Sequence, residues 1–475
     1  MKLTSNLQEN LHALHKILPV GKSFDLLEKV LYIHGRTFYL YFLDGFAKDT
    51  NLEYIRRDIY ALPKEELDKV HSAEELIRLG ISSIEVSTET DIDEMVKALL
   101  AGQTILLFDN SSSAAIIDLR TYPTRGINEP EKEKTIRGAR DGFVETIVFN
   151  TALIRRRIRD PHLIFEMMNI GQVSNTDVAI GYLSNKVDKK LLKKVKDTLN
   201  QLHVNALTMG DQTLIESINE EKWFNPFPKA RYTERPDVAA AQVTEGKIVI
   251  LVDNSPTAII VPTGIFDFLQ DADDYYVPVI TGNYLRFVRH IIFLVNLFLT
   301  PVYVLIVRYE SMIPSSLSFL LPDDPLNVAL FIQFLALEVA VDGLKIASLN
   351  TPSSLGTSLS VIGGLILGEY AVKTGWVVPH TIFYMAIVAL SSFTQPSIEL
   401  SYGIKMMRMI MLLGAGLFGI WGFAIAVVLD IILLLTTKTF TGEPYLYPLI
   451  PFNWSALRTL IFRTKVQTKQ SANKH

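Results

Sequence analysis

The sequence predicts an α/β soluble N-terminal region of two related subdomains, followed by an all-α multi-span transmembrane bundle. Three observations lead there. Residues 1–283 hold most of the charge, whereas residues 284–453 are dominated by Leu, Ile, Val, Phe and Ala. Two stretches of the N-terminal half repeat without a gap, 144 residues apart (Ala101 against Glu245). Apolar segments long enough to cross a bilayer recur through the C-terminal half. The expected organisation of the 475 residues is a first cytosolic α/β subdomain (1–140), a connecting helix with a second such subdomain (141–283), a transmembrane domain (284–453) and a basic cytosolic tail (454–475).

In the repeat, Gly102, Leu107, Asp109, Asn110 and Ser111 align with Gly246, Leu251, Asp253, Asn254 and Ser255. Ala114 and Ile116 align with Ala258 and Ile260. Each copy reads as a buried strand, an Asp-Asn-Ser turn and a second strand, because the apolar runs are short and the turn residues tolerate unusual backbone angles. An earlier strand is expected in each unit, at 38–43 and 178–183. Helices are expected at 65–80, 91–100, 189–202 and, as the connector, 141–159. The repeat serves either as a duplicated scaffold or as a pair of ligand-binding turns.

Several function classes drop out. The net charge of −4 gives no footprint for nucleic acid. The absence of cysteine removes disulfides, thiolate metal sites and thiol nucleophiles. The start, MKLTSNLQEN, lacks the apolar run of a secretory signal, so the N-terminal half is expected on the cytoplasmic side. No nucleophile elbow, zincin motif or phosphate-binding loop occurs, and the nine histidines show no metal spacing. A non-enzyme without cofactor or metal is expected. Asp267, Asp271, Asp273 and Asp274 could ligate a hard cation but lack the glycine and ligand spacing of a known loop.

Two charged clusters suggest a hub between the subdomains. Arg155, Arg156, Arg157 and Arg159 crowd the end of the connecting helix, where cations complement the helix dipole. Glu234, Arg235 and Asp237 flank Pro236 and are placed to hold that basic end by salt bridges.

Apolar segments are expected at 290–307, 328–347, 355–371, 376–393 and 409–436. Arg286 and Arg289 before the first, and Arg458, Arg463, Lys465, Lys469 and Lys474 after the last, place both flanks inside and require an even number of crossings. Five segments become even if the last breaks at Gly414, Gly416, Gly419 and Gly422 into a hairpin or re-entrant pair, or if the second lies along the interface, giving four to six crossings. Glu338, Asp342 and Lys345 share one face of the second segment, and charges at that depth line a wet pathway or form an internal gating pair. In the third segment, Gly356, Ser360, Gly364 and Gly368 form a stripe for close helix packing. Ser354, Ser358, Val361 and Leu365 lie roughly opposite, as a polar entrance followed by an apolar constriction.

Read together, Ala152-Leu-Ile-Arg-Arg-Arg-Ile-Arg159, Thr233-Glu-Arg-Pro-Asp237, Leu251-Val-Asp-Asn-Ser-Pro256, Ile313-Pro-Ser-Ser-Leu317 and Val361-Ile-Gly-Gly-Leu365 resemble the A subunits of spore germinant receptors, the GerA family. The resemblance runs from about residue 20 to about 455. It implies the inner spore membrane, a role in germination, and homo-oligomers, as pentamers, that conduct cations. It also implies as partners the lipid bilayer and other spore-membrane germination proteins, including germinant receptor subunits. Receptor A subunits usually carry Pro-Ile-Gly-Gln where this chain has Leu355-Gly-Thr-Ser358, which turns the expectation from nutrient sensing toward amplifying release that receptors begin. The rival expectations are a nutrient-binding A subunit and a non-conducting scaffold of germination complexes.

Overall fold

The computed structural model describes residues 1–81, 83–122, 138–218, 224–350, 364, 366–439 and 441–463. The chain forms two compact units, residues 1–220 with 230–262, and residues 221–229 with 263–475.

The first unit contains two five-stranded sheets, antiparallel throughout. One is built from β1 (Leu26–Ile33), β2 (Arg36–Leu43), β3 (Val86–Glu89), β4 (Thr104–Phe108) and β5 (Ala114–Ile117), in the order β1-β2-β4-β5-β3. The other is built from β6 (Leu163–Ile170), β7 (Thr176–Leu183), β8 (Arg231–Thr233), β9 (Ile248–Val252) and β10 (Ala258–Val261), in the order β6-β7-β9-β10-β8. The shared order extends the sequence repeat to whole subdomains. Hairpins β4–β5 and β9–β10 keep the 144-residue offset strand for strand, and their turns keep it in backbone angle. Asn110 and Asn254 have φ of 58° and 63°, and Gly102 and Gly246 both have φ of 97°. Asparagine and glycine are the residues that tolerate this left-handed region, which is why the turn survives in both copies.

Strand alternation builds the first subdomain's two cores. Ile105 and Leu107 of β4 face the helices Leu7–Ile17 and Ile92–Leu100. Leu106 and Phe108 face Asp49–Ala61 and Ala73–Gly80. With helices on both faces, β4 is buried along its whole length.

Two expected helices are shorter than the sequence suggests. The 65–80 stretch splits into Lys64–Leu67 and Ala73–Gly80, because Ser72 and Glu75 form a reciprocal capping box that restarts the chain. The connecting helix is Ile147–Arg157. Asn150 pins the approach by accepting from Val144 N (2.8 Å) and donating to Val144 O (2.5 Å), while Asp253 Oδ1 takes the Ile147 N–H at 3.1 Å.

The second unit is helical. Among the described residues its first apolar helix is Val279–Arg308, its second Leu330–Asn350, its third Pro379–Phe393 and its fourth Ile398–Thr436. The first and fourth are long and apolar enough to cross a bilayer. Only 33% and 22% of their most apolar stretches are buried within the chain, so both turn large apolar faces outward. The fourth helix is a hairpin. Gly419 has φ 65° and ψ −142°, and a Cβ on Gly414 would lie 2.5 Å from the carbonyl of Gly422, eight residues on. The fold-back expected from the glycines is therefore present, with limbs 398–418 and 420–436.

The hairpin tip is braced by the end of the first helix. Arg308 donates to the carbonyls of Ala415 (3.2 Å) and Gly416 (2.7 Å), and the Ile420 N–H donates to the Tyr309 hydroxyl (3.4 Å). Carbonyls and N–H groups freed by the break thus find partners, as helix ends require. At the other end of the unit, Arg463 donates to the carbonyls of Asp274 (2.7 Å) and Val277 (2.6 Å), so the residues before the first helix and after the hairpin meet.

Candidate functional site

The polar interior of the second unit is assembled from three helices. Arg408, on the first limb of the hairpin, is buried and donates from Nε to Glu338 Oε1 at 2.8 Å, with a second nitrogen 2.6 Å from the same oxygen. Its remaining nitrogen donates to the Asn296 carbonyl at 2.8 Å and to the Asn296 side chain. Lys405, one turn earlier, lies 3.2 Å from Glu338 Oε2 and pairs with Asp342. Two carboxylates on the second helix are thus balanced by two cations on the fourth, and the first helix supplies neutral acceptors. Buried charges of this kind are tolerated only when paired, since an isolated buried ion is costly.

Glu338 and Asp342 do share a face, as the spacing predicts. Lys345 does not pair with them. Its ammonium lies 3.3 Å from Ser392 Oγ and over the rings of Phe393 (4.7 Å) and Tyr402 (5.9 Å). Lys405 and Arg408 were not anticipated, because they stand just ahead of the apolar run that begins at Met409. The available signal was two cations three apart, the spacing that puts them on one helix face. Along the first helix, Asn296 Nδ2, Thr300 Oγ1 and Tyr303 Oη are buried and, among the described residues, have no partner, at intervals of four and three. They form an unpaired polar stripe on the same element. Tyr445 is a core residue, packed against Phe227 and Phe268.

Ser354, Ser358, Val361 and Leu365, with Gly356 and Ser360, lie outside the described residues. Gly364 and Gly368 are described, and a Cβ added at either meets no atom of the described residues within 4 Å. Asp271 and Asp274 are engaged by arginines: Asp274 Oδ2 lies 3.2 Å from Arg286 and 2.8 Å from Arg289, and Asp271 lies 3.6 Å from Arg289. That pairing uses the carboxylates the sequence offered to a cation.

In the first unit the inter-subdomain hub centres on Arg155. It grips Asp25 through Nε (2.8 Å) and a terminal nitrogen (3.0 Å), with both side chains 2% exposed. It also donates to the Leu163 carbonyl at 3.0 Å. Asp25 immediately precedes β1, and Leu163 opens β6, so one guanidinium ties the two sheets. Ser23 Oγ reinforces it by accepting from the Phe165 N–H at 2.9 Å.

The rest of the expected hub is arranged differently. Arg157 pairs with Asp141 at 2.6 Å, Arg156 stacks over Tyr122 at 4.5 Å, and Arg159 is exposed. Asp237 is held by its neighbour Arg235 at 2.7 Å. Among the described residues, Asp25 and Asp141 are acidic partners of the basic helix end. Arg235 instead braces Ala139 by donating to its carbonyl at 3.0 Å. The repeated turn carboxylates are also structural, since Asp109 pairs with Arg36 at 2.9 Å and Asp253 caps the connecting helix.

One cavity of the first subdomain, about 530 Å³, is lined by Asn51, Tyr54, Arg57, Glu85 and Asp118 among others. Hydrogen bonds from the Arg120 side chain hold the Asp118 carboxyl below its ordinary range.

Comparison with known proteins adds a family. The family model described as "Bacillus/Clostridium GerA spore germination protein" matches residues 13–475. Stage V sporulation protein AF of Bacillus subtilis is 35% identical over 94% of this chain and 90% of its own length. Spore germination protein GerLA of Bacillus cereus is 30% identical over 86% of this chain and 83% of its own. Spore germination protein KA of Bacillus subtilis is 29% identical over 84% and 73%. A crystal structure of the N-terminal domain of the A subunit of the Bacillus megaterium germinant receptor GerK3 aligns with 55% of this chain and 96% of its own, with a TM-score of 0.39 and 23% identity.

Proposed function

The chain belongs to the GerA family of spore germination proteins, and from that premise we propose that it is a homo-oligomeric, multi-pass ion-channel subunit of the spore inner membrane that promotes cation release during germination. The observation that carries this reading is the inverted arrangement of the second unit. Apolar side chains face outward, while Glu338, Asp342, Lys405 and Arg408 turn inward and neutralise one another. Soluble cores do the reverse.

Contacts support an even number of crossings. Arg463 reaches the carbonyls of Asp274 and Val277, so the two flanks lie at one end, with the N-terminal region and the tail on the cytoplasmic side. Lys345 lies beside Ser392, whereas the Val378 N–H donates to Gln333 at 3.0 Å, near the opposite end of the second helix. That arrangement fits a crossing through the segment holding the proposed gate, Ser354, Ser358, Val361 and Leu365. With the two limbs of the hairpin, the total is six. Gly364 and Gly368, four residues apart, offer a small-residue face on which a second copy of the chain could pack. Glu338 and Asp342 would set the electrostatics beside the conduction path.

The test is monovalent cation flux through proteoliposomes of the full chain, alone and with Val361→Ser or Leu365→Ser. Flux that rises in either variant supports the gate. Flux present but unchanged in both removes those residues from it. An intact, inserted chain that passes no ions favours the scaffold.

A receptor A-subunit reading is favoured by a different observation, the cavity lined by Arg57, Glu85 and Asp118, which carries charges of both signs suited to a small zwitterion. Saturable binding of amino acids to the full chain, lost in Arg57→Ala, would support it. Other spore-membrane germination proteins are the expected partners on either reading.

A further inference from the structure

Asp430 lies in the second limb of the hairpin, and its side chain is 3% exposed. Among the described residues it forms no hydrogen bond or ion pair, and its Oδ2 is a buried acceptor without a donor. The limb buries Gly422, Ala426 and Asp430, which recur every fourth residue and so share a face. That face is turned on the first limb, since a Cβ on Gly414 would lie 3.3 Å from Ala426 Cβ. Asp430 continues this seam one turn further from the tip.

Depth follows from helix rise. Asp430 is roughly 15 Å from the tip along its limb, and Arg408 is roughly 15 Å from it along the other. The carboxyl is therefore level with the Glu338–Arg408 network yet stands outside it. Thr300, about 14 Å back from Tyr309 on the first helix by the same rise, is at that level too, and its Oγ1 is also unpaired.

The charged groups on the helices packed against the hairpin are committed elsewhere. Arg286 and Arg289 bind Asp274, His290 bonds the Arg286 carbonyl, and Arg308 caps the tip. Glu338, Asp342, Lys405 and Arg408 bind one another, and Lys345 lies against Ser392 and two rings. None of them forms an ion pair with Asp430. A buried carboxylate with no compensating donor is far less stable than the neutral acid.

We infer that Asp430 is a proton-binding site built into the hairpin seam: it holds a proton at neutral pH and ionises only when the seam opens to water or to a cation. The inference rests on the membrane-spanning reading of the hairpin and deepens it. The closed seam binds the proton more tightly than an opened one, so alkaline conditions shift the population toward the open form.

The test is infrared difference spectroscopy of the full chain in lipid nanodiscs at neutral pH, wild type minus Asp430→Asn. A protonated-carboxyl carbonyl stretch, present in wild type and lost in the variant, is expected. Asp430→Glu, which keeps a carboxyl, should shift that band rather than abolish it, and it decides the matter if the Asn variant does not fold. An ionised-carboxylate band assigned to Asp430 at neutral pH overturns the inference. Carbonate washing of native membranes separates the two failures. Release of the chain defeats the membrane reading, whereas retention with an ionised Asp430 defeats only the proton site.

Discussion

Replacing Arg408 by Met tests the charge network most directly. The substitution removes two contacts to Glu338 Oε1 and leaves the Asn296 carbonyl and Oδ1 without their donor. Glu338 and Asp342 would then share the single ammonium of Lys405, 3.2 Å from Glu338. Removing one member of a buried pair costs about 3–5 kcal/mol because the other charge stays behind. Lys405 offsets part of that, so the expected loss is about 3 kcal/mol, or roughly 100-fold in the folding equilibrium. Glu338→Gln should cost less, since Arg408 keeps its two bonds to Asn296. The double variant removes both charges together and should recover about 2 kcal/mol relative to the sum of the single losses. The assay is unfolding of the full chain in mixed micelles, followed by tryptophan fluorescence and far-UV dichroism. A loss below about 1 kcal/mol for Arg408→Met, or strict additivity in the double variant, would show that the pair is solvated and would refute the buried network.

Three further outcomes follow. Arg155→Met and Asp25→Asn should each destabilise the first unit by about 3–5 kcal/mol, with amide exchange accelerating in β1 and β6 together; acceleration confined to one sheet would deny Arg155 its tying role. Gly419→Ala forces a Cβ into a left-handed backbone, 2.6 Å from the Tyr309 hydroxyl, and should cost about 2–4 kcal/mol in the same micelle assay; no change would mean the limbs do not fold back there. Arg120 holds the Asp118 carboxyl below its ordinary range through side-chain hydrogen bonds. A depressed acid contributes stability that is complete above about pH 4 and is lost as pH falls through the folded-state value. Asp118→Asn should therefore cost at most about 1 kcal/mol near neutrality, and the gap in melting temperature should close in acid.

The repeat was legible where backbone geometry constrains sequence. Asn110 and Asn254 both sit at positive φ, so the turn kept its residues and the offset of 144 could be read by eye. The outer strands were less legible. β1–β2 turns through His34-Gly35, whereas β6–β7 turns through five residues, 171–175, and nothing in the two turns forces a common residue. Glu338 and Asp342 were legible as a pair because spacing along one helix is visible in the sequence. Lys405 and Arg408 were not, because pairing across 63 to 70 residues leaves no local trace. The same holds for Arg155, whose basic cluster was plain but whose partner Asp25 lies 130 residues earlier. Asp430 is a single acid in an apolar run, a pattern with no periodicity to draw the eye.

Those long-range pairs also couple the helices of the second unit to one another. Without the fourth helix, the second helix carries Glu338 and Asp342 with no cation facing them but Lys345, which the native fold directs to Ser392 and the rings of Phe393 and Tyr402. An isolated second helix therefore bears uncompensated charge in an apolar setting, a costly state. Lys405 and Arg408 relieve it only when the first limb of the hairpin is beside it, and Asn296 on the first helix completes the coordination of Arg408. The hairpin tip in turn needs Arg308 and Tyr309 from the end of the first helix. First, second and fourth helices thus stabilise one another jointly rather than in pairs. A movement that separates the hairpin from the second helix must therefore break the network as a whole.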